Sequence, residues 1–111
     1  MISKALISAL TDHLPQAVIV FDQKEEVVYC NDSAAQFWQR DSQRLLGKQS
    51  SGLFHADVMI QEKIRGVLNS GNVFRMGGYV LKTPPLQERG AEIVIAPVRN
   101  KTGKVKQVVI T

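Results

Sequence analysis

The spacing of apolar residues changes along the chain in an order that predicts its elements. "ISKALISALTDHL" places Ile2, Leu6, Ala9 and Leu10 at helical spacing, with Ala5 and Ile7 widening the stripe. Pro15 disfavours helical geometry at Leu14 and ends that helix. "AVIVFD" is a β-branched run, "QKEE" a turn, and "VVYC" the partner strand. Asn31 then stands where a helix N-cap belongs, its side-chain oxygen placed to accept from free backbone N–H groups ahead of it. Ala34, Ala35, Phe37 and Trp38 form the inner face of a short helix, Asp41 is a second N-cap, and Gly47 takes the left-handed C-terminal position. Such short helices need a sheet to pack on.

From about Ala56 to Asn69, Ile60, Ile64, Val67 and Leu68 recur at i, i+4, i+7 and i+8, an amphipathic helix. Gly66 inside it is expected to mark close packing, because glycine there costs about 1 kcal/mol against alanine. "VFRMGGYVL" is a strand, bent or bulged at Gly77 and Gly78. "KTPPLQERG" is a loop, and "AEIVIAPV" and "VKQVVIT" are strands joined by an "NKTG" turn. The order is one helix, two strands, three short helices, one longer helix and three strands. Strands and helices that do not strictly alternate argue an α+β fold with a five-stranded antiparallel sheet, helices packed on one face, and an N-terminal flanking helix.

The 111 residues suffice for one core and one domain. Charge is uneven: residues 1–62 hold 5 basic and 8 acidic side chains, and residues 63–111 hold 9 basic and 2 acidic. Most of the basic residues alternate with apolar ones, as on the wet face of a sheet, and no aromatics interleave with them, so nucleic acid is not expected as a partner. Cys30 stands alone, which excludes an internal disulfide and a Cys-rich metal site and fits a reducing compartment. With no apolar run near the roughly 18 residues of a membrane span and no signal peptide, the expectation is a soluble, cytoplasmic chain that does not engage a membrane.

Asp22 ending the first strand, Asn31 ending the second, Ala34 three residues on, and Leu45, Leu46 and Gly47 closing the next helix together resemble a PAS domain. Within that family the chain is similar to the N-terminal sensory domain of nitrogen-regulation histidine kinases of the NtrB type. The likeness rests on "ALTDHLPQAVIVFD", "LNSGNVFRMGGYVL" and "AEIVIAPV". The resemblance implies a single PAS domain over residues 1–111, with a flanking helix at 1–14 and a core at 17–111. It also implies a sensory and dimerisation module of a two-component histidine kinase in nitrogen-responsive transcription. The ATP-dependent kinase core would lie outside this chain, a response regulator would be its substrate, and a PII-type protein its controller. The alternative is a stand-alone or other-output PAS sensor that binds a small apolar ligand or cofactor.

No catalytic residues are expected. His13 precedes a proline that interrupts any phospho-acceptor helix, and Asp22 and Glu92 are single carboxylates without a partner. Haem is disfavoured because His55 sits at or before the start of the long helix. Flavin is disfavoured because Cys30 lies on a strand instead of on the following helix. No cofactor or metal is therefore expected. Phe37, Trp38, Leu53, Phe54, Met59, Ile60 and Ile64 are candidates to line a ligand pocket between helices and sheet, although aromatic and Met side chains at such spacing more often form plain core. The stripe Ile2, Ala5, Leu6, Ala9 and Leu10 predicts a homodimer through the N-terminal helix; otherwise it covers the open face of its own sheet.

Overall fold

The computed structural model describes residues 16–83, 90–103 and 105–110. The expected N-terminal helix, and with it the dimer stripe Ile2, Ala5, Leu6, Ala9 and Leu10, lies outside the described residues, as does His13.

Five antiparallel strands form one sheet in the order β2-β1-β5-β4-β3. They are β1 (Ile19–Asp22), β2 (Val27–Cys30), β3 (Phe74–Val80), β4 (Gly90–Arg99) and β5 (Val105–Ile110). Between β2 and β3 the chain makes four helices: α1 (Asp32–Trp38), α2 (Ser42–Leu45), α3 (Ser50–Leu53) and α4 (Val58–Ser70). The α+β class and five-stranded sheet are as the hydrophobic pattern predicts. The Gly77–Gly78 pair also behaves as expected, since the β3–β4 register shifts between Met76 and Tyr79.

Period-two alternation sorts the sheet into two faces. Ile19 and Phe21 of β1 and Ile93 and Ile95 of β4 are buried in one cluster with Ala34, Trp38, Leu45, Leu53, Phe54, Ile60, Ile64 and Val67 from the helices. Val18, Val20 and Tyr29 form a second cluster on the other face. The long helix presents Ile60, Ile64 and Val67 to the first cluster, each worth about 1.5–3 kcal/mol gross when buried. That packing holds a helix whose own propensity is marginal at this length.

Asn31 is the corner of the fold. Its side-chain oxygen accepts from the Ala34 N–H at 3.0 Å, capping α1, and from the Val18 N–H at 3.0 Å. Its amide donates to the Gln16 carbonyl at 2.8 Å. One buried residue therefore ends β2, starts α1 and holds the lead into β1. Asp41 occupies the N-cap position of α2 but makes no side-chain cap bond, so it starts the helix by backbone geometry only. Gly47 has φ +82°, the left-handed conformation its position after α2 requires.

Two expectations need correcting. Gly66 does not mark close packing: a Cβ there would meet nothing within 4 Å. The close approach is instead at Gly71, which ends α4 at φ +75° with the Arg99 guanidinium against the space a Cβ would occupy. The helix also begins slightly later than its apolar pattern implies, at Val58, with Asp57 at the N-cap position.

A candidate functional site in the helix–sheet layer

Each of the seven residues expected to line a pocket falls in the layer between helices and sheet. Trp38, Leu53, Phe54, Ile60 and Ile64 are buried members of the main cluster, and Phe37 and Met59 are half-buried against it. The Trp38 and Phe54 rings meet edge to face, centroids 5.4 Å apart and planes at 85°. The Trp38 indole N–H donates to the Leu53 carbonyl at 3.3 Å, fastening α1 to α3. Gln61 fastens α4 to the same corner by donating its side-chain amide to the Phe54 carbonyl at 2.7 Å.

The other candidates are scattered. His55 is exposed. Cys30 is buried on β2, with its thiol 3.6 Å from the Ser42 carbonyl. Asp22 accepts from the backbone N–H groups of Lys24 and Glu26 and so shapes the β1–β2 turn. Glu92 is exposed on β4. Among the described residues, no group of three or more His, Cys, Asp or Glu side chains converges, and no helix is long and apolar enough to cross a membrane.

The most organised polar cluster is one that sequence reasoning missed. Asp57, 1% exposed, sits at the N-cap of α4 yet makes no cap bond with its side chain. One carboxylate oxygen accepts from the Tyr79 hydroxyl at 2.7 Å and the Lys82 N–H at 3.0 Å. The other accepts from the Thr83 N–H at 3.0 Å and the Thr83 hydroxyl at 2.6 Å. Thr83 Oγ1 in turn accepts from the Ala56 N–H at 2.9 Å. Burial pushes the Asp57 carboxyl up, but the bonds from Thr83, Tyr79 and the two backbone N–H groups together outweigh it and hold the pKa below the ordinary aspartate value. Tyr79 is pushed up to about 12 by burial, by its bond to Asp57 and by that carboxylate's charge.

These contacts limit the chemistry. With two donors on each oxygen, Asp57 has no free lone pair with which to take a proton from a substrate. It is a clamp joining the start of α4 to the exit of β3. What remains beside it is an apolar layer closed by polar fastenings.

Comparison with known proteins agrees with this geometry. The family model described as the PAS fold matches residues 5–111. A search of curated proteins gives no match. Among solved structures, VqmA bound to DPO is similar with a TM-score of 0.77 at 17% identity, over 92% of this chain and 53% of that one. The chain thus spans about half the length of VqmA. The PAS domain of histidine kinase ThkA has a TM-score of 0.70 at 23% identity, over 85% of this chain and 93% of that domain. The PAS domain of nitrogen regulation protein NR(II) from Vibrio parahaemolyticus has a TM-score of 0.67 at 17% identity, over 96% of each chain. At these identities the structural likenesses speak for the fold, and with a family model matched over almost the whole sequence, the chain belongs to the PAS fold family.

Proposed function

We propose that this PAS domain is a non-catalytic, cytoplasmic sensory and dimerisation module of a two-component histidine kinase. The observation that carries the reading is the apolar helix–sheet layer, whose Asp57 cluster is saturated by its own hydrogen bonds. Such a layer can bind or shift, and its Asp57 has no lone pair free to take a proton. The likeness to the PAS domain of histidine kinase ThkA, covered over 93% of its length, supports a kinase as the linked output, and the likeness to that of nitrogen regulation protein NR(II), covered over 96%, supports nitrogen regulation. In that setting the kinase core, its response regulator and a controlling PII-type protein all lie outside this chain, and nitrogen-responsive transcription is the process served. Dimerisation would run through Ile2, Ala5, Leu6, Ala9 and Leu10; sedimentation of wild type against Leu6→Glu tests it, with a folded monomer in both counting against it.

The test of the kinase reading is to incubate the full-length protein that contains this domain with ATP and map the phosphohistidine by mass spectrometry. The label is expected beyond Thr111. A label on His13 or His55, or none at all, overturns the reading.

A second reading has its own support. VqmA, similar over nearly all of this chain, is described as bound to DPO, so a sensor that holds a small apolar ligand among Phe37, Trp38, Leu53, Phe54, Met59, Ile60 and Ile64 is the alternative. Native mass spectrometry of the purified chain decides it: a stoichiometric added mass favours the ligand sensor, and an empty chain favours the transmitting module. A related VqmA structure is described in terms of DNA binding, over a chain of which this one spans 51%. Binding of DNA by residues 1–111 is not part of either reading, and affinity for DNA that falls steeply with salt would contradict both.

A further inference from the structure

Glu25 has a backbone that a glutamate rarely adopts. It lies in the turn between β1 and β2 at φ +61°, left-handed geometry that glycine or asparagine takes far more readily. A residue held in such a conformation invites the question of what its side chain does. Here the side chain gathers two helices. The Ser50 hydroxyl of α3 donates to Glu25 Oε1 at 2.9 Å, and Arg65 Nε of α4 donates to Oε2 at 3.0 Å. Ser50 is itself 1% exposed, and the Glu25 side chain is 19% exposed, against 57% for Arg65.

Around this point the chain after α2 is laced to the hairpin by backbone bonds. Gly47 donates to Val27, Val27 to Lys48, and Ser50 to Glu25, at 2.8, 2.9 and 2.9 Å. Residues 47–50 thus lie against the turn and the first residue of β2, and α3 follows directly onto the apolar layer.

We propose that Glu25 is a latch that closes the helical layer on the β1–β2 side, and that its release lets residues 47–53 part from the hairpin and open the layer there. The inference goes beyond the proposed function: it concerns how the layer is closed, and it holds or fails in the isolated chain whatever the output. The Arg65 limb faces solvent, so salt or a competing anion weakens the closed state.

The test is amide hydrogen exchange by NMR, read at Val27, Gly47 and Ser50. Glu25→Asn keeps a residue at ease in the left-handed turn but too short to reach Arg65. It is expected to speed all three amides about tenfold, leaving the β4 amides of Ile93 and Ile95 unchanged. If glutamate served the turn alone, asparagine would leave the three amides as slow as in wild type or slower, and that result overturns the latch. Arg65→Gln, which leaves the turn untouched, is expected to speed the same three amides about two- to threefold and to abolish their response to salt. Unchanged exchange in Arg65→Gln, or a wild type insensitive to salt between about 0.05 and about 0.5 M, likewise overturns it.

Discussion

Replacing Asp57 by asparagine changes almost no volume, so its effect isolates the hydrogen-bonding of the clamp. The carboxylate takes two donors on each oxygen: Tyr79 and Lys82 on one, the N–H and hydroxyl of Thr83 on the other. An asparagine must turn its NH2 toward one of these pairs. The hydroxyl in either pair can rotate and accept, but the backbone N–H cannot, so one N–H loses its acceptor in a buried site. An unsatisfied buried donor costs about 1–3 kcal/mol, and the bonds that survive lose the strengthening of a charged acceptor. We expect Asp57→Asn to destabilise the chain by about 3 kcal/mol, which at about 4 °C per kcal/mol lowers Tm by about 12 °C. Tyr79→Phe, which removes a single donor, is expected to cost about 1 kcal/mol. Urea unfolding of wild type, both single variants and the double variant measures the costs and their coupling. A loss below about 0.5 kcal/mol for Asp57→Asn, or full additivity with Tyr79→Phe, would refute the clamp.

The same clamp sets a pH dependence. The Asp57 carboxyl titrates lower in the folded chain than its ordinary value of 3.8, so the unfolded chain takes up the proton first; this contribution is complete above that value and is lost as pH falls through the folded pKa. Acid titrations followed by circular dichroism should therefore show a steeper loss below about pH 4 in wild type than in Asp57→Asn. At the alkaline end, Tyr79 protects the fold below about pH 10 and the protection fades as pH rises toward about 12, a loss absent from Tyr79→Phe. Two glycines should respond oppositely to alanine. Gly71→Ala, at positive φ and against Arg99, should cost about 1–2 kcal/mol or more, whereas Gly66→Ala, with open space at its Cβ, should gain about 0.5–1 kcal/mol, both by thermal unfolding. Asn31→Ala removes the three bonds described above and should cost about 2–3 kcal/mol, and Asn31→Asp, which keeps the two accepted among them but not the donation to Gln16, about half that, by urea unfolding.

What the sequence made legible was local. Asn31 before a run of small and aromatic residues, glycine after a leucine pair, and the i, i+4, i+7 stripe of α4 are signals carried by neighbours in the chain. The candidate pocket residues were also legible, although only as apolar residues of one layer, because core and pocket linings have the same chemistry. Asp57 was not legible, since its donors lie 22 to 26 residues away and no spacing connects them. Nor was Glu25, because glutamate is no signal for a left-handed turn and its partners lie 25 and 40 residues on. Gly66 misled for the converse reason. A helical glycine raises an expectation of close contact, and here the contact belongs to Gly71, brought against Arg99 only by the fold.

On the function proposed above, this domain adjusts an output without performing chemistry of its own. Comparing the full-length protein with a version lacking residues 1–111 tests this, scoring both formation of the phosphohistidine and dephosphorylation of the response regulator that the proposed kinase reading requires. Deletion is expected to leave phosphorylation possible while changing the ratio of the two activities. An unchanged ratio, or complete loss of phosphorylation by a kinase core that remains folded and dimeric, would contradict it.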